Sequence, residues 1–292
     1  MDVIALDGLT KHYGSRLGVE SLSLTVPAGA MYGFLGPNGA GKTTTIRVLM
    51  GLLSPSAGRA SVFDQDCWLQ SSTIKAEVGY LPGDLRLPPW MNCDEALTLF
   101  GRIRGRDLRD AGRRLAEEFE LDPQLRVRAM SRGTRQKLGL ILALAHEPRL
   151  ILLDEPTASL DPLVQQTLYA QLRQAVGQGR TVLLSSHTLS EVEELCTHVA
   201  VLRQGRLAAC DSVARLRSIA TRRVTVHWVA TAHVAKTTTP ECIVWTSQET
   251  SCWSGVVHGS TTTVAEWLAR QPITDFSLEA PNLSEIFQSF YT

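Results

Sequence analysis

Apolar residues along this chain fall into three patterns, and their order predicts an α/β fold. Met31 to Leu35, Val78 to Leu81, Leu150 to Leu153 and Thr181 to Ser185 are nearly continuous apolar runs. Strands of a parallel sheet covered on both faces read this way. Looser alternation marks half-buried strands. Val3, Ala5 and Leu9 fit an edge strand over residues 2 to 10, followed by a turn, Lys11 to Gly14, with an exposed aromatic. Leu22, Leu24 and Val26 alternate with Ser21, Ser23 and Thr25 until Pro27-Ala28-Gly29 ends the run. Arg59 to Phe63 is a further short strand, and Val199 to Leu202 with Arg206 to Cys210 form a hairpin across Gln204-Gly205.

Helical spacing supplies the third pattern. It predicts helices over Thr44 to Leu52, Asp94 to Arg104, Asp110 to Phe119, Lys137 to Ala145 and Leu163 to Val176. Thr188, with Glu191 three residues on, has the form of a capping box that opens another helix. No strand candidate falls between about 84 and 147, so that stretch reads as a helical subdomain inserted into the sheet. After residue 218 the chain becomes Thr- and Trp-rich with few charges. Val224 to Trp228, Ile243 to Trp245 and Gly255 to Val257 are strand candidates there, and Asn282 with Glu285 caps a final helix. The expected domains are therefore 1–218 and a small α+β domain at 219–292.

Composition narrows the function. The 292 residues carry 29 basic and 29 acidic side chains, so no electrostatic pull towards nucleic acid is expected. Six scattered cysteines without a C-x-x-C pair fit reduced thiols better than a disulfide frame or a zinc site. No stretch approaches the length of a membrane-spanning helix, and the first residues lack the form of a signal peptide. On its own, the chain is not expected to cross a membrane.

The densest chemistry lies at Gly36-Pro37-Asn38-Gly39-Ala40-Gly41-Lys42-Thr43-Thr44, between a buried strand and a helix. Glycines there let backbone N–H groups reach phosphate oxygens, and the helix N-terminus adds partial positive charge. Lys42 would reach the terminal phosphates and the Thr43 hydroxyl would hold Mg²⁺. The fold class is accordingly that of a P-loop NTPase. Leu150 to Leu153, expected beside the phosphate strand, ends in Asp154-Glu155. Asp154 would serve the metal and Glu155, pointing elsewhere, would be the general base. His187 follows the strand ending at Ser185-Ser186, on the edge of the sheet that faces ligands. Ser131 and Gly133 lie just before a helix and form a second anion site, which implies that the terminal phosphate is gripped across a dimer.

Together these motifs resemble the nucleotide-binding subunits of ABC transporters, over residues 1 to about 215. The resemblance implies ATP and Mg²⁺ as cofactors and ATP hydrolysis as the reaction. It identifies Tyr13 as the aromatic that stacks on adenine, Gly36 to Thr44 as Walker A, and Asp154 with Glu155 as Walker B. Ser159 to Pro162, with Asp161, becomes the D-loop, Ser131 to Arg135 the signature, and His187 the switch histidine. Within the family the pattern is similar to drug- and antibiotic-export ATPases that pair with a separate membrane permease. Leu283-Ser-Glu-Ile-Phe287 and Phe290-Tyr291 resemble the ending of their C-terminal extension. A homo- or heterodimer held at the cytoplasmic face of the cell membrane by the permease is implied. The alternative is a regulatory or non-transport ATPase of the same type.

The sequence departs from the family pattern in three places. Arg132 and Thr134 stand in the signature where Gly and Gln are usual, and Asp211 takes a turn position usually held by Gly. Gly83 stands where the Q-loop glutamine is expected, followed by Asp84. Asp84 is either a substitute Mg²⁺ ligand or a residue that caps its own turn.

Overall fold

The computed structural model describes residues 2–219, 222–229, 239–258 and 260–279. Contacts divide the chain into two units, meeting between Val213 and Ala214.

The first unit opens with β1 (Asp2–Tyr13) and β2 (Arg16–Pro27), followed by β3 (Met31–Leu35) and α1 (Lys42–Leu49). Then come β4 (Ala57–Val62), β5 (Gln65–Asp66), α2 (Ser71–Glu77) and β6 (Val78–Leu81). Three helices follow without a strand: α3 (Cys93–Arg104), α4 (Arg109–Glu118) and α5 (Arg132–Leu144). The chain continues through β7 (Leu150–Asp154), α6 (Pro162–Gly177), β8 (Thr181–Ser186), α7 (Leu189–Leu195), β9 (His198–Arg203) and β10 (Arg206–Ser212).

These strands form two sheets. An antiparallel sheet has the order β2-β1-β4-β5, and a six-stranded sheet the order β10-β9-β3-β8-β7-β6. In the second sheet every pairing is parallel except that of the β9–β10 hairpin. The continuous apolar runs are its inner strands, and every residue of β3, β7 and β8 is buried. A cluster from Ile4, Leu22 and Val26 through Phe34, Ile46 and Leu49 to Leu152 and Leu183 joins the sheets over α1. Residues 36–44 therefore stand on a buried base.

Four expectations need correction. β1 is not an edge strand: it pairs with β2 on one side and β4 on the other, and it runs on through Tyr13. Its alternation is loose because register shifts interrupt both pairings. The Asp154 strand does not lie beside the phosphate strand, since β8 separates β3 from β7. α5 begins at Arg132 rather than Lys137, with Ser131 as its cap. Finally, Thr188 makes no side-chain cap, and the Glu191 carboxylate turns inward, 2.5 Å from the Ser186 hydroxyl.

All of α8 (Val213–Ile219) but its first residue belongs to the second unit, which continues with β11 (Arg222–Trp228), β12 (Ile243–Gln248), β13 (Cys252–Val257), α9 (Thr261–Leu268) and β14 (Ile273–Glu279). The strands form an antiparallel sheet in the order β12-β13-β11-β14. Trp253 packs edge-on against Trp228 and Trp245, at 5.0 and 5.2 Å, over a core of Val224, Val226, Val264 and Leu268. Such aromatic pairs each add about 0.5–1.5 kcal/mol beyond burial. The helix expected from Asn282 lies outside the described residues.

Candidate functional site

The phosphate loop leaves β3 at Gly36, whose N–H bonds the Ser186 carbonyl at 3.2 Å. It re-enters regular structure at Gly41, whose φ of +109° is open to glycine alone. A Cβ at Gly41 would also stand 2.6 Å from Val19 Cγ1. The loop and Tyr13, Arg16, Leu17, Gly18, Thr43, Thr44 and Glu155 line a cleft of about 420 Å³. Tyr13 is 40% exposed, and its hydroxyl sits 3.3 Å from Thr44 Oγ1, so its ring stands over the start of α1.

Lys42 is buried to 5%, yet its charge has three partners. Its Nζ donates to the carbonyls of Gly36 at 2.5 Å and Pro37 at 3.3 Å, and pairs with Glu155 Oε1 at 3.1 Å. A buried ammonium without such partners costs several kcal/mol. The other oxygen of Glu155, Oε2, lies 2.6 Å from Nδ1 of His187, whose ring is 59% exposed. Glu155 thus stands between a buried lysine and an accessible imidazole.

Asp154 occupies the end of β7, 1% exposed. Its Oδ1 accepts from Thr43 Oγ1 at 3.1 Å and from Ser185 Oγ at 2.6 Å. Its Oδ2 is buried with no hydrogen-bond partner. Although β8 intervenes, the start of α1 reaches far enough to bring Thr43 to Asp154. Asp154 and Ser185 are direct partners in the parallel ladder, which fixes the contact.

Glu155 has a φ of +53°, left-handed backbone that costs a non-glycine residue about 1–3 kcal/mol. Its N–H donates to Ser185 Oγ at 3.0 Å, and its carbonyl accepts from Gln136 Nε2 at 3.2 Å. That backbone turn sends the Glu155 side chain towards Lys42 instead of along the strand. Ser185 and Gln136 were not among the residues singled out from sequence. A serine at a strand end and a glutamine inside an amphipathic helix carry no signal until the partner backbone is seen.

Ser131 and Gly133 do not line the cleft. The Ser131 hydroxyl caps α5 by accepting from Thr134 N–H at 3.1 Å. Gly133 lies in the first turn, where a Cβ would come within 2.4 Å of the Ser159 carbonyl. Asp161 caps α6, accepting from Val164 N–H at 3.0 Å, and that bond lowers its carboxyl pKa. Asp84 is exposed and its carboxylate binds Arg86 at 2.9 Å, so the structure brings it to Arg86 rather than to Thr43 and Asp154. Gly83 is nearer the centre: a Cβ there would lie 3.2 Å from Asp154 Oδ2.

Comparison with known proteins gives the family. Residues 19–158 match the family model described as ABC transporter. The chain is 37% identical over 220 residues to daunorubicin resistance ATP-binding protein DrrA3 of Streptomyces coeruleorubidus, covering 74% of this chain and 70% of that protein. The chain belongs to the ATP-binding proteins of ABC transporters.

It is 34% identical over 212 residues to Nod factor export ATP-binding protein I of Ralstonia nicotianae, covering 71% of this chain and 66% of that protein. A solved structure, described as the ATP binding subunit of an ABC transporter, superposes with a TM-score of 0.67 at 28% identity. It covers 74% of this chain and 92% of its own. As a member of that family it is an ATP-binding ATPase chain, and among the described residues no helix is long and apolar enough to cross a membrane.

Proposed function

We propose that this chain hydrolyses ATP as one half of a nucleotide-binding dimer and so powers export through a separate membrane permease. The permease would hold it at the cytoplasmic face of the membrane. The names of the two relatives, one an export protein and one a resistance protein, support the direction. The observation that carries the hydrolytic reading is Glu155 suspended between Lys42 and His187, at the mouth of a phosphate loop.

In this reading ATP enters the cleft with its adenine on Tyr13 and its phosphates on the backbone of residues 36–44. The terminal phosphate draws Lys42 away from Glu155, freeing a carboxylate beside the imidazole. Glu155 then takes a proton from water as the water oxygen bonds to the terminal phosphorus. ADP departs with the electron pair of the broken P–O bond. His187 hydrogen-bonds Glu155 and holds its carboxylate in line.

Thr43 and Asp154 fit a magnesium ion. A buried carboxylate oxygen without a partner, beside a hydroxyl, is a donor set for a hard cation. Bound there, Mg²⁺ would neutralise phosphate charge and polarise the terminal phosphate. Ser131, Gly133 and Asp161 stand outside this chain's own cleft, which supports a role in gripping the nucleotide of a second subunit.

Residues 219–292 are proposed as an accessory domain for contacts with the permease or the second subunit. Truncation after Ser218 is then expected to leave an ATP-binding core that melts cooperatively, and loss of cooperative melting would refute that division. Gly83 and Arg132 favour a second reading, a regulatory ATPase with weak turnover. Phosphate release by the purified chain, with Lys42→Ala as control, tests between them. The hydrolytic reading predicts Mg²⁺-dependent release that the variant lacks, and no release above the variant contradicts it.

A further inference from the structure

Glu155 is held in its left-handed conformation from both sides. Its N–H is bound by Ser185 of β8, and its carbonyl by Gln136 of α5. The same Gln136 amide nitrogen also donates to the next carbonyl, Pro156, at 3.1 Å. Gln136 is buried to 7% exposure. A buried amide that gives two hydrogens to consecutive carbonyls fixes the direction of the peptide between them. The Ala158 N–H reaches the Glu155 carbonyl as well, at 3.2 Å, but that bond lies within the same turn and moves with it.

Gln136 stands five residues after Ser131, on the helix whose first turn packs Gly133 against the Ser159 carbonyl. The start of α5 therefore touches both ends of segment 155–159, through Gln136 at one and Gly133 at the other. We infer that Gln136 is a positioning residue, which sets the aim of the Glu155 carboxylate and ties it to the N-terminus of α5. The inference rests on Glu155 being the general base. Engagement of Ser131 and Gly133 by the nucleotide of a second subunit would thereby be transmitted to the base of this one.

The test is Gln136→Met in the full chain, which keeps length and removes both donors. Labelled-ATP titration gives Kd and the number of sites, and phosphate release is divided by those sites. The expected result is a Kd within about twofold of wild type and a kcat per site lower by roughly ten- to a hundredfold. A displacement of a reacting group by about an ångström has that effect. A residue that only fills a buried polar space would lower the melting temperature and leave kcat per site unchanged, and that result overturns the inference. Should the Met variant fail to fold, Gln136→Asn is measured in the same way. It keeps the amide on a stem too short to reach, and the same loss of kcat is expected. Glu155→Gln is run alongside. If it turns over at the wild-type rate, the base assignment fails. If it is inactive while the Gln136 variants match wild type, only the present inference fails.

Discussion

The imidazole of His187 places Nδ1 2.6 Å from Oε2 of Glu155, across the gap between the ends of β8 and β7. Lys42 takes the other oxygen of the same carboxylate, so the cleft closes on itself through its own charges. In the proposed mechanism a nucleotide phosphate replaces Glu155 as the partner of Lys42.

Lys42→Ala is expected to weaken ATP binding by ten- to a hundredfold, the scale of about 1.5–3 kcal/mol for a hydrogen bond to a charged group. The variant also leaves Glu155 without its cation, facing the phosphates. Tyr13→Ala loses stacking on one base, about 1–3 kcal/mol by analogy with aromatic contacts to single-stranded nucleic acid, and is expected to fall at the lower end because the ring is partly exposed. Equilibrium titration with labelled ATP checks both, and two unimpaired variants would refute the cleft.

Asp154→Asn is expected to raise the Mg²⁺ concentration for half-maximal ATPase activity, because the unpartnered Oδ2 becomes an amide or loses its charge. Asp84→Ala is expected to leave that concentration unchanged, since its carboxylate is already engaged by Arg86 at the surface. A raised Mg²⁺ requirement in the Asp84 variant would restore it as a ligand. The two titrations separate the alternatives that the sequence leaves open at the Gly83-Asp84 pair.

His146 makes stability depend on pH. Burial, helped by the nearby Arg104 guanidinium, lowers its pKa to about 4 from 6.5. The unfolded chain therefore binds the extra proton between pH 6.5 and 4, and the folded chain does not. Stability is full above pH 6.5 and falls as the pH drops towards 4, by about 3 kcal/mol over the whole window. Denaturant midpoints measured across that range are expected to shift less in His146→Leu than in wild type, while an equal shift in both would exclude His146 as the cause.

Much of the fold was legible because burial writes itself into the chain. β3, β7 and β8 are buried throughout, and their apolar runs could hardly be read otherwise. The loop at 36–44 stood out for a different reason: glycines followed by Lys42-Thr43, between a buried strand and a helix, have the spacing expected around phosphate. Strand order was not written in the same way. Nothing in Leu150–Asp154 indicates that β8 separates it from β3, since pairing depends on where the connecting helices pack. In the second unit α9 and β14 escaped notice. Of the seven residues of β14 only two are even partly buried, so its alternation is faint. Gln136 escaped because it acts on backbone, which has no sequence signature, and Ser185 because its partners, the Asp154 carboxylate and the Glu155 N–H, are brought to it only by the strand ladder. Thr188 and Glu191 matched a capping pattern, but a buried serine nearby offered Glu191 a different partner.

Glu155→Gln separates proton abstraction from every other role of this side chain. The amide keeps the size of the side chain and a hydrogen bond to His187, and it loses the capacity to take a proton from water. Steady-state phosphate release by this variant is expected to fall by roughly 10²–10⁴-fold, while labelled ATP still binds and the protein accumulates as an ATP-bound dimer. Release at the wild-type rate, with ATP binding intact, would mean that another group activates the water, and the account of this site would be wrong.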